Sequence, residues 1–332
     1  MNSFGRLLRI MIAGESHGPG ITVVIDGIPA GIPLSIDDLS ADLSRRQPGD
    51  NGTTPRVERS LPQFLSGVYN AFTTGTPLTI YCENSDVRSS DYQRFSDIPR
   101  PGHADLTARQ KFNGYNDPRG GGHCSGRITV GIVAAGAIAK KIIPKIRINA
   151  ELIVAGGSPD SETAVAKAVD QNDSCGGIIS CSVRNVPAGL GEPFFDSCES
   201  LISHAVFSIP GIKGIEFGSG FALAAMPGSE ANDPIIDERG TTSTNHAGGI
   251  NGGITNGNTI EFTVAVKPTA SIGITQTTFN STEHRMDELQ CTGRHDACFA
   301  LRVPVIVEAV TALVMADLVL IRNAYLTGQV PK

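Results

Sequence analysis

Four short stretches of this chain combine glycine with histidine, arginine, aspartate or serine in patterns that packing does not require. They are Gly14-Glu15-Ser16-His17-Gly18, Arg100-Pro101-Gly102-His103-Ala104-Asp105, Arg119-Gly120-Gly121-Gly122-His123-Cys124-Ser125-Gly126-Arg127 and Gly293-Arg294-His295-Asp296. Each sets ionisable side chains beside residues that let a ligand come close to the backbone. A single histidine in a glycine-rich turn, or a single Arg-Asp pair, is more often structural than catalytic. Four such stretches in one weakly charged chain are poorly explained that way. Arg45, Arg46, Arg56, Arg100, Arg119, Arg127 and Arg294 lie in or beside them, and guanidinium forks suit carboxylate and phosphate. The implied ligand is a small polyanion. Taken singly, Arg45 or Arg46 reads equally well as a solvated helix end.

Other chemistries fail on spacing. Gly18-Pro19-Gly20 lacks the Lys-Ser/Thr of a phosphate-binding loop, and Gly218-Ser219-Gly220 lacks a third glycine at Leu223. His17, His103, His123, His246 and His295 show no HExxH or other short ligand spacing, so no metal site is expected. Ser16 lacks the GxSxG frame of a hydrolase nucleophile.

Composition narrows the class further. Of 332 residues, 40% are hydrophobic and 18% charged, against roughly 25% charged in a typical soluble domain, which excludes a disordered chain or a solvated coiled coil. With 27 basic and 33 acidic side chains the net charge is -6, so no nucleic-acid partner is expected. The seven cysteines show no CxxC spacing and read as reduced thiols in a cytoplasmic protein. The apolar stretch behind Arg6 and Arg9 is too short for a signal peptide. The apolar run Val303 to Ile321 contains Pro304, Glu308 and Asp317, and a bilayer would penalise each carboxylate by roughly 3 kcal/mol; it reads as a buried helix, with no membrane partner expected.

The elements that must position these stretches follow from pattern. Ile21 to Ile25 is β-branched and closes at Asp26-Gly27 as a strand. Ser35 can cap a helix running through Leu39 and Leu43 to Arg45-Arg46, stopped by Gln47-Pro48-Gly49. Leu78 to Cys82 is a strand, and the irregular stretch from there to Gly126 reads as a functional loop or lid. Arg127 to Ile143, Asp196 to Phe207 and Ala300 to Tyr325 are expected helices, and Gly176 to Val183, Gly214 to Leu223 and Asn258 to Val266 expected strands. Mixed elements without a regular βα period indicate a layered α/β or α+β fold rather than a Rossmann repeat. No repeat, linker or low-complexity segment divides residues 1–332, which read as one domain.

In order along the chain, GESHG (14–18), RRQPG (45–49), RPGHAD (100–105), RGGGHCSGR (119–127), VPAGLGEP (186–193), TNHAGGINGG (244–253), KPTAS (267–271) and GRHDAC (293–298) resemble the blocks of the chorismate synthase family. The resemblance implies a β-α-β sandwich with helices between antiparallel sheets, assembled as a homotetramer. It implies binding of reduced FMN and 5-enolpyruvylshikimate 3-phosphate, and a 1,4-anti elimination of phosphate that gives chorismate without net redox change. By position, His17 would protonate the departing phosphate and His103 the reduced flavin, and Asp296 would help flavin N5 accept the substrate proton. Flavin contacts would come from His123, Cys124, Ser125, Pro210, Gly211, Gly252, Lys267, Pro268, Thr269, Ala270, Ser271 and Arg294. Arg46 and Arg56, with Arg45 and Arg127 as helpers, would hold the substrate anions.

The residues themselves agree with this. Phosphate departs with protonation or cationic neutralisation and needs no nucleophile, and imidazole can supply the proton near neutral pH. Lys267 and Ser125 suit a flavin phosphate or ring. Two departures from the family pattern stand out: Asp50 to Thr54 replaces a commonly basic and longer run, and Ala155 to Gly176 is short and lacks a CPD start. The competing readings are a flavin-binding paralogue with impaired turnover and a flavin oxidoreductase with net hydride transfer. Asp296 itself reads either as a proton acceptor or as a cap on the helix that begins near Ala300. NADPH used by the chain itself and an external reductase both fit as the electron source.

Overall fold

The computed structural model describes residues 2–49, 51–54, 62–84, 89–291, 293 and 295–326. Two antiparallel sheets enclose the helices. The first has the strand order Ser3–Phe4, Arg9–Ala13, Gly20–Asp26, Leu78–Glu83, Gln63–Ser66. The second has the order Ile212–Phe217, Ile260–Val266, Gly177–Arg184, Arg147–Ala155. In each, one face alternates into the core. Ile21, Val23 and Ile25 point inward from Gly20–Asp26, and Ile260, Phe262, Val264 and Val266 from Ile260–Val266, as the period of two requires.

Helix Thr129–Ile142 lies on the first sheet and helix Val303–Leu326 on the second, and the two pack on one another. They meet at Gly136, where a Cβ would stand 2.4 Å from Ala309 Cβ. The small residues Ala134, Ala135, Ala137 and Ala139 belong to this close crossing, and a single apolar cluster joins residues of both sheets through it. Together with the turn before it, the helical run Phe299–Leu326 is long and apolar enough to span a membrane by composition, and 78% of its most apolar window is buried inside the protein. A second, smaller cluster of Tyr92, Phe95, Ile98, Leu289 and Cys291 lies apart from the main core.

The β-α-β layering agrees with the expected fold class, and the expected strands and helices occur with one correction. Gly214 to Leu223 is not all strand: it ends at Phe217, and Gly218 and Gly220 turn it into the 3-10 segment Gly220–Ala225. Gly218 sits at φ +55, where a Cβ would be 2.0 Å from His246 O, so the backbone contact with the 246–248 loop takes precedence over strand propensity. The helix from Ser35 starts as a 3-10 turn, with Ser35 N donating to Asp38 Oδ2 at 2.7 Å, and continues as Ser40–Arg46. The irregular stretch 83–126 contains the short helix Asp105–Lys111. Strand Arg147–Ala155 and helix Ser161–Asp170 carry weaker patterns and were not foreseen. All seven cysteines are free.

Two buried carboxylates on the long helix fasten the layers. Asp317 accepts the N–H groups of Arg6, Leu7 and Leu8 at 2.8–2.9 Å, tying down the turn between the first two strands. Glu308 accepts both Arg45 Nη1 and Nη2 at 2.7 Å, Lys140 Nζ at 3.0 Å and Ala150 N at 3.1 Å. Burial alone would raise the Glu308 pKa, but the hydrogen bond from Arg45 and the charge of Lys140 outweigh it and hold the pKa below its ordinary value of 4.5. A carboxylate lowered in this way adds stability that is complete above its unfolded pKa and lost as pH falls through the folded one. Stability is therefore expected to decline below about pH 4.5. Glu308→Ala should cost about 3 kcal/mol at pH 7, the low end for breaking a buried pair because Arg45 remains half in solvent. Urea unfolding at pH 7 and pH 4 would measure both.

Candidate active site

A cleft of about 530 Å³ brings together the 100–104 loop, Gly120 with 123–127, the 207–213 turn, the 267–271 segment, and His295, Asp296, Phe299 and Arg302. Its size lies in the usual range for small-molecule sites. Three of the four glycine-rich stretches, separated by up to about 190 residues, thus meet on one surface, together with KPTAS.

Gly120, Gly121 and Gly122 form the tightest backbone in the site. All three have positive φ, at 61°, 83° and 55°, a region that glycine enters without a Cβ penalty. At Gly120 space matters as well, since a Cβ would stand 2.5 Å from His17 Cδ2 and 2.6 Å from His17 Nε2. His17 is buried edge-on to Tyr92, with ring centroids 5.0 Å apart. It therefore lies one layer behind Gly120, not on the cleft wall. Arg127 is buried and donates through Nη1 to Ser16 O at 2.8 Å, holding the GESHG turn beneath the same loop.

The 100–105 loop is organised around Arg100, which is buried and places its guanidinium 4.3 Å from the Phe95 ring centroid. Its Nε and Nη2 donate to Asp105 Oδ2 and Oδ1 at 2.8 and 2.7 Å, and Nη1 donates to Ser271 Oγ at 2.9 Å. His103 Nδ1 lies 2.6 Å from Asp105 Oδ1. Burial works to raise the Asp105 pKa, yet the hydrogen bonds from Arg100 and His103 keep it well below the ordinary carboxylate range. The sequence places Arg100 among the arginines suited to a small polyanion, but the fold commits its guanidinium to Asp105 and Ser271 instead.

Against the 100–105 loop, Lys267 Nζ donates to Gly102 O at 2.6 Å, and Lys267 N donates to Gly211 O at 2.9 Å. Burial, and less strongly the charge of Lys213, lower the Lys267 pKa, and both lysines line the cleft. Thr269 Oγ1 is buried without a hydrogen-bond partner among the described residues. His123 Nδ1 donates to Gly14 O at 2.7 Å. Cys124 faces the cleft as a neutral thiol, its pKa raised by burial and by Asp105. Pro210, Gly211, Pro268, Ala270 and Ser125 complete this wall.

Asp296 lines the cleft and accepts Thr54 N at 2.8 Å, with Arg302 Nη1 3.4 Å from its other oxygen. It does not cap the long helix, since the 3-10 turn Phe299–Arg302 that leads into that helix has Cys298 at its N-cap. Arg302, missed from the sequence, reaches both Asp296 and Arg46 O; a lone arginine inside an apolar run was the available signal.

Several expected positions fall elsewhere. Arg45 is not at the cleft: its guanidinium is committed to Glu308, because the short Ser40–Arg46 helix turns it toward the long helix. Arg46 is only 2% exposed and does not line the cleft, although its carbonyl meets Arg302. Gly252 sits in the turn of the Ile250–Asn251 and Ile254–Thr255 hairpin, away from the cleft, where Gly253 O caps the 198–206 helix through Cys198 N. Arg119 pairs with Asp117 instead of facing the cleft. Arg56 and Arg294 lie outside the described residues. Among the described residues no three His, Cys, Asp or Glu side chains converge in a metal-binding group.

A sheet–helix–sheet sandwich whose cleft pairs cationic and hydroxyl groups with a histidine and a carboxylate is an enzyme scaffold built for a phosphorylated small molecule. The chorismate synthase family model matches residues 8–320. The chain is 56% identical over 324 residues to the chorismate synthase of Chitinophaga pinensis, covering 97% of this chain and 98% of that one. It is 44% identical over 346 residues to the chorismate synthase of Korarchaeum cryptofilum, covering 95% and 96%. A crystal structure of chorismate synthase superimposes with a TM-score of 0.75 at 28% identity, over 96% of this chain and 93% of that chain. The chain belongs to the chorismate synthase family.

Gly120 carries a direct test of this geometry. Gly120→Ala combines a left-handed backbone with a clash against His17, whereas Gly157→Ala, at φ +81 with nothing within 4 Å, carries the backbone strain alone. Denaturant unfolding is expected to show a loss of about 1 kcal/mol for Gly157→Ala and of about 2–4 kcal/mol for Gly120→Ala.

Proposed function

We propose that this chain eliminates phosphate from 5-enolpyruvylshikimate 3-phosphate to give chorismate, using reduced FMN that is not consumed. The observation that carries the reading is the single cleft in which the 100–105, 119–127, 267–271 and 293–298 stretches meet. The residues present fit the flavin: Lys213 and Lys267, both lining the cleft, and the buried Thr269 Oγ1 suit a phosphate, and the 123–125 and 210–211 backbone offers a wall for a ring. Bound reduced FMN would supply electron density to the substrate as the C–O bond breaks.

The protein's own residues do the rest. Cationic side chains neutralise the substrate anions, with Arg127 and Arg302 the arginines beside the Asp296 and Gly120 walls. Arg46 and Arg56 remain candidates for the same task, as does Arg294 for the flavin. His103 delivers a proton into the cleft toward the reduced ring. His17, buried against Gly120, is the proton source for the departing phosphate on this reading, which requires the Gly120 backbone to let the phosphate reach its ring. Asp296, held by Thr54 N, would assist removal of the substrate proton, which the flavin would be the group to receive. An anion site gains nothing by Coulomb attraction from a carboxylate, so proton handling is the role that explains Asp296 there.

The exposed aromatic side chains Phe194, Phe195 and Phe221, at 88%, 92% and 85% exposure, support assembly, which we take to be the homotetramer. The seven free thiols support a cytoplasmic location. NADPH is the candidate electron source where no external reductase acts.

Anaerobic assays with chemically reduced FMN should release phosphate without stoichiometric NADPH consumption. Stoichiometric consumption would mark a flavin oxidoreductase, and flavin binding without release would mark an inactive paralogue. His17→Ala and His103→Ala should each slow turnover by roughly 10²-fold or more. Asp296→Asn keeps an acceptor for Thr54 N; it should lower kcat by about 10²-fold and shift Tm by no more than about 3 °C.

A further inference from the structure

We propose that Asp105 is a positioning residue for His103, fixing the tautomer in which Nδ1 carries the hydrogen and leaving Nε2 as the atom that exchanges protons with the cleft. The inference rests on the reading of His103 as the group that moves a proton there.

The geometry leaves one assignment. His103 Nδ1 and Asp105 Oδ1 are 2.6 Å apart, and an ionised carboxylate only accepts hydrogen bonds. The hydrogen between them must therefore belong to the imidazole. Asp105 stays ionised because Arg100 reaches both of its oxygens, and its Oδ2 also accepts Arg100 N at 3.1 Å. Arg100 Nη2 comes within 3.1 Å of His103 Nδ1. That approach is a hydrogen bond only in the other tautomer, which would set the Nδ1 lone pair against the ionised Asp105 Oδ1 at 2.6 Å; with Nδ1 carrying the hydrogen, Arg100 Nη2 serves Asp105. Arg100 is itself immobilised by Ser271 and by the Phe95 ring. The chain of contacts from Phe95 through Arg100 and Asp105 thus ends on one edge of His103.

The other edge faces the glycine loop. A Cβ built on Gly121 would lie 3.3 Å from His103 Cε1 and 3.4 Å from Nε2, and His103 lines the cleft. Nε2 is consequently the ring nitrogen on the side of the 119–127 loop. A histidine oriented by a buried carboxylate presents one nitrogen in one direction. With neutral amide in place of carboxylate, an asparagine side chain can offer either an acceptor or a donor to Nδ1, so the tautomer is no longer enforced.

Two measurements test this. In the flavin-free native protein, long-range 1H–15N correlation of the His103 ring should show a protonated Nδ1 and an unprotonated Nε2 above the ring's titration. A protonated Nε2 in the native protein would overturn the assignment whether or not any variant folds. Turnover of Asp105→Asn, His103→Ala and the double variant, with reduced FMN and substrate in excess, completes the test. Asp105→Asn should lower kcat by about 10-fold to 100-fold with KM changed less than about threefold, and should add nothing in the His103→Ala background. Equal losses in both backgrounds, or native kcat in Asp105→Asn, would overturn the positioning role while His103 keeps its own. Native turnover in His103→Ala would instead overturn the reading of His103, and the positioning role with it.

Discussion

Arg100 is a buried cation on which one whole wall of the cleft depends. Its charge is balanced by Asp105, its third nitrogen is taken by Ser271, and its plane rests on Phe95. Three segments are therefore fixed relative to one another: the 89–98 turns, the 100–105 loop that follows them, and the end of KPTAS, 171 residues from Arg100. Removing Asp105 would strand the Arg100 charge away from water, which is costly because the pair is buried. The small apolar cluster of Tyr92, Phe95, Ile98, Leu289 and Cys291 is too small to account for that order by hydrophobic burial alone; the ion pair supplies direction, and the cluster excludes water from it.

A different constraint governs the adjoining 119–127 loop. There the backbone itself comes close to side chains, and glycine is required by space at Gly120 over His17. The same principle recurs in the core at Gly136, where two helices approach until Ala309 fills the position a side chain would take. Because those helices carry the 119–127 loop at one N-terminus and Asp296 and Arg302 just before the other, their close crossing sets the distance between the two halves of the cleft. Packing of small residues in the interior is in this sense part of the site.

Carboxylates on the long helix show how charge is used away from the cleft. Glu308 and Asp317 are buried on its length, one answered by Arg45 and Lys140 and the other by three backbone N–H groups. Both anchor chain segments that could otherwise detach from the sandwich. The commitment of Arg45 to Glu308 also separates two adjacent arginines, since Arg46 turns inward toward Arg302's side of the fold.

The sequence by itself determined the family, the apolar character of the long helix, the strands with clean alternation and the stretches that carry chemistry. Those properties are local: they depend on residue types within a few positions, and Gly-rich turns with ionisable neighbours declare themselves wherever they fold. It also left Arg147–Ala155 and Ser161–Asp170 unread, because partial burial blurs their periodicity. Only the tertiary structure decided which ionisable groups meet. Arg45 and Arg46 are neighbours in sequence with the same chemistry, yet a rotation of about 100° per residue along a helix sends one to Glu308 and buries the other. His103 and Asp105 sit two apart in one motif, but that they share a hydrogen, and that His17 lies behind Gly120, are consequences of distances no spacing encodes. Long-range contact is set by how two sheets and the helices between them pack, and a single charge or Cβ at the point of contact decides the chemistry there.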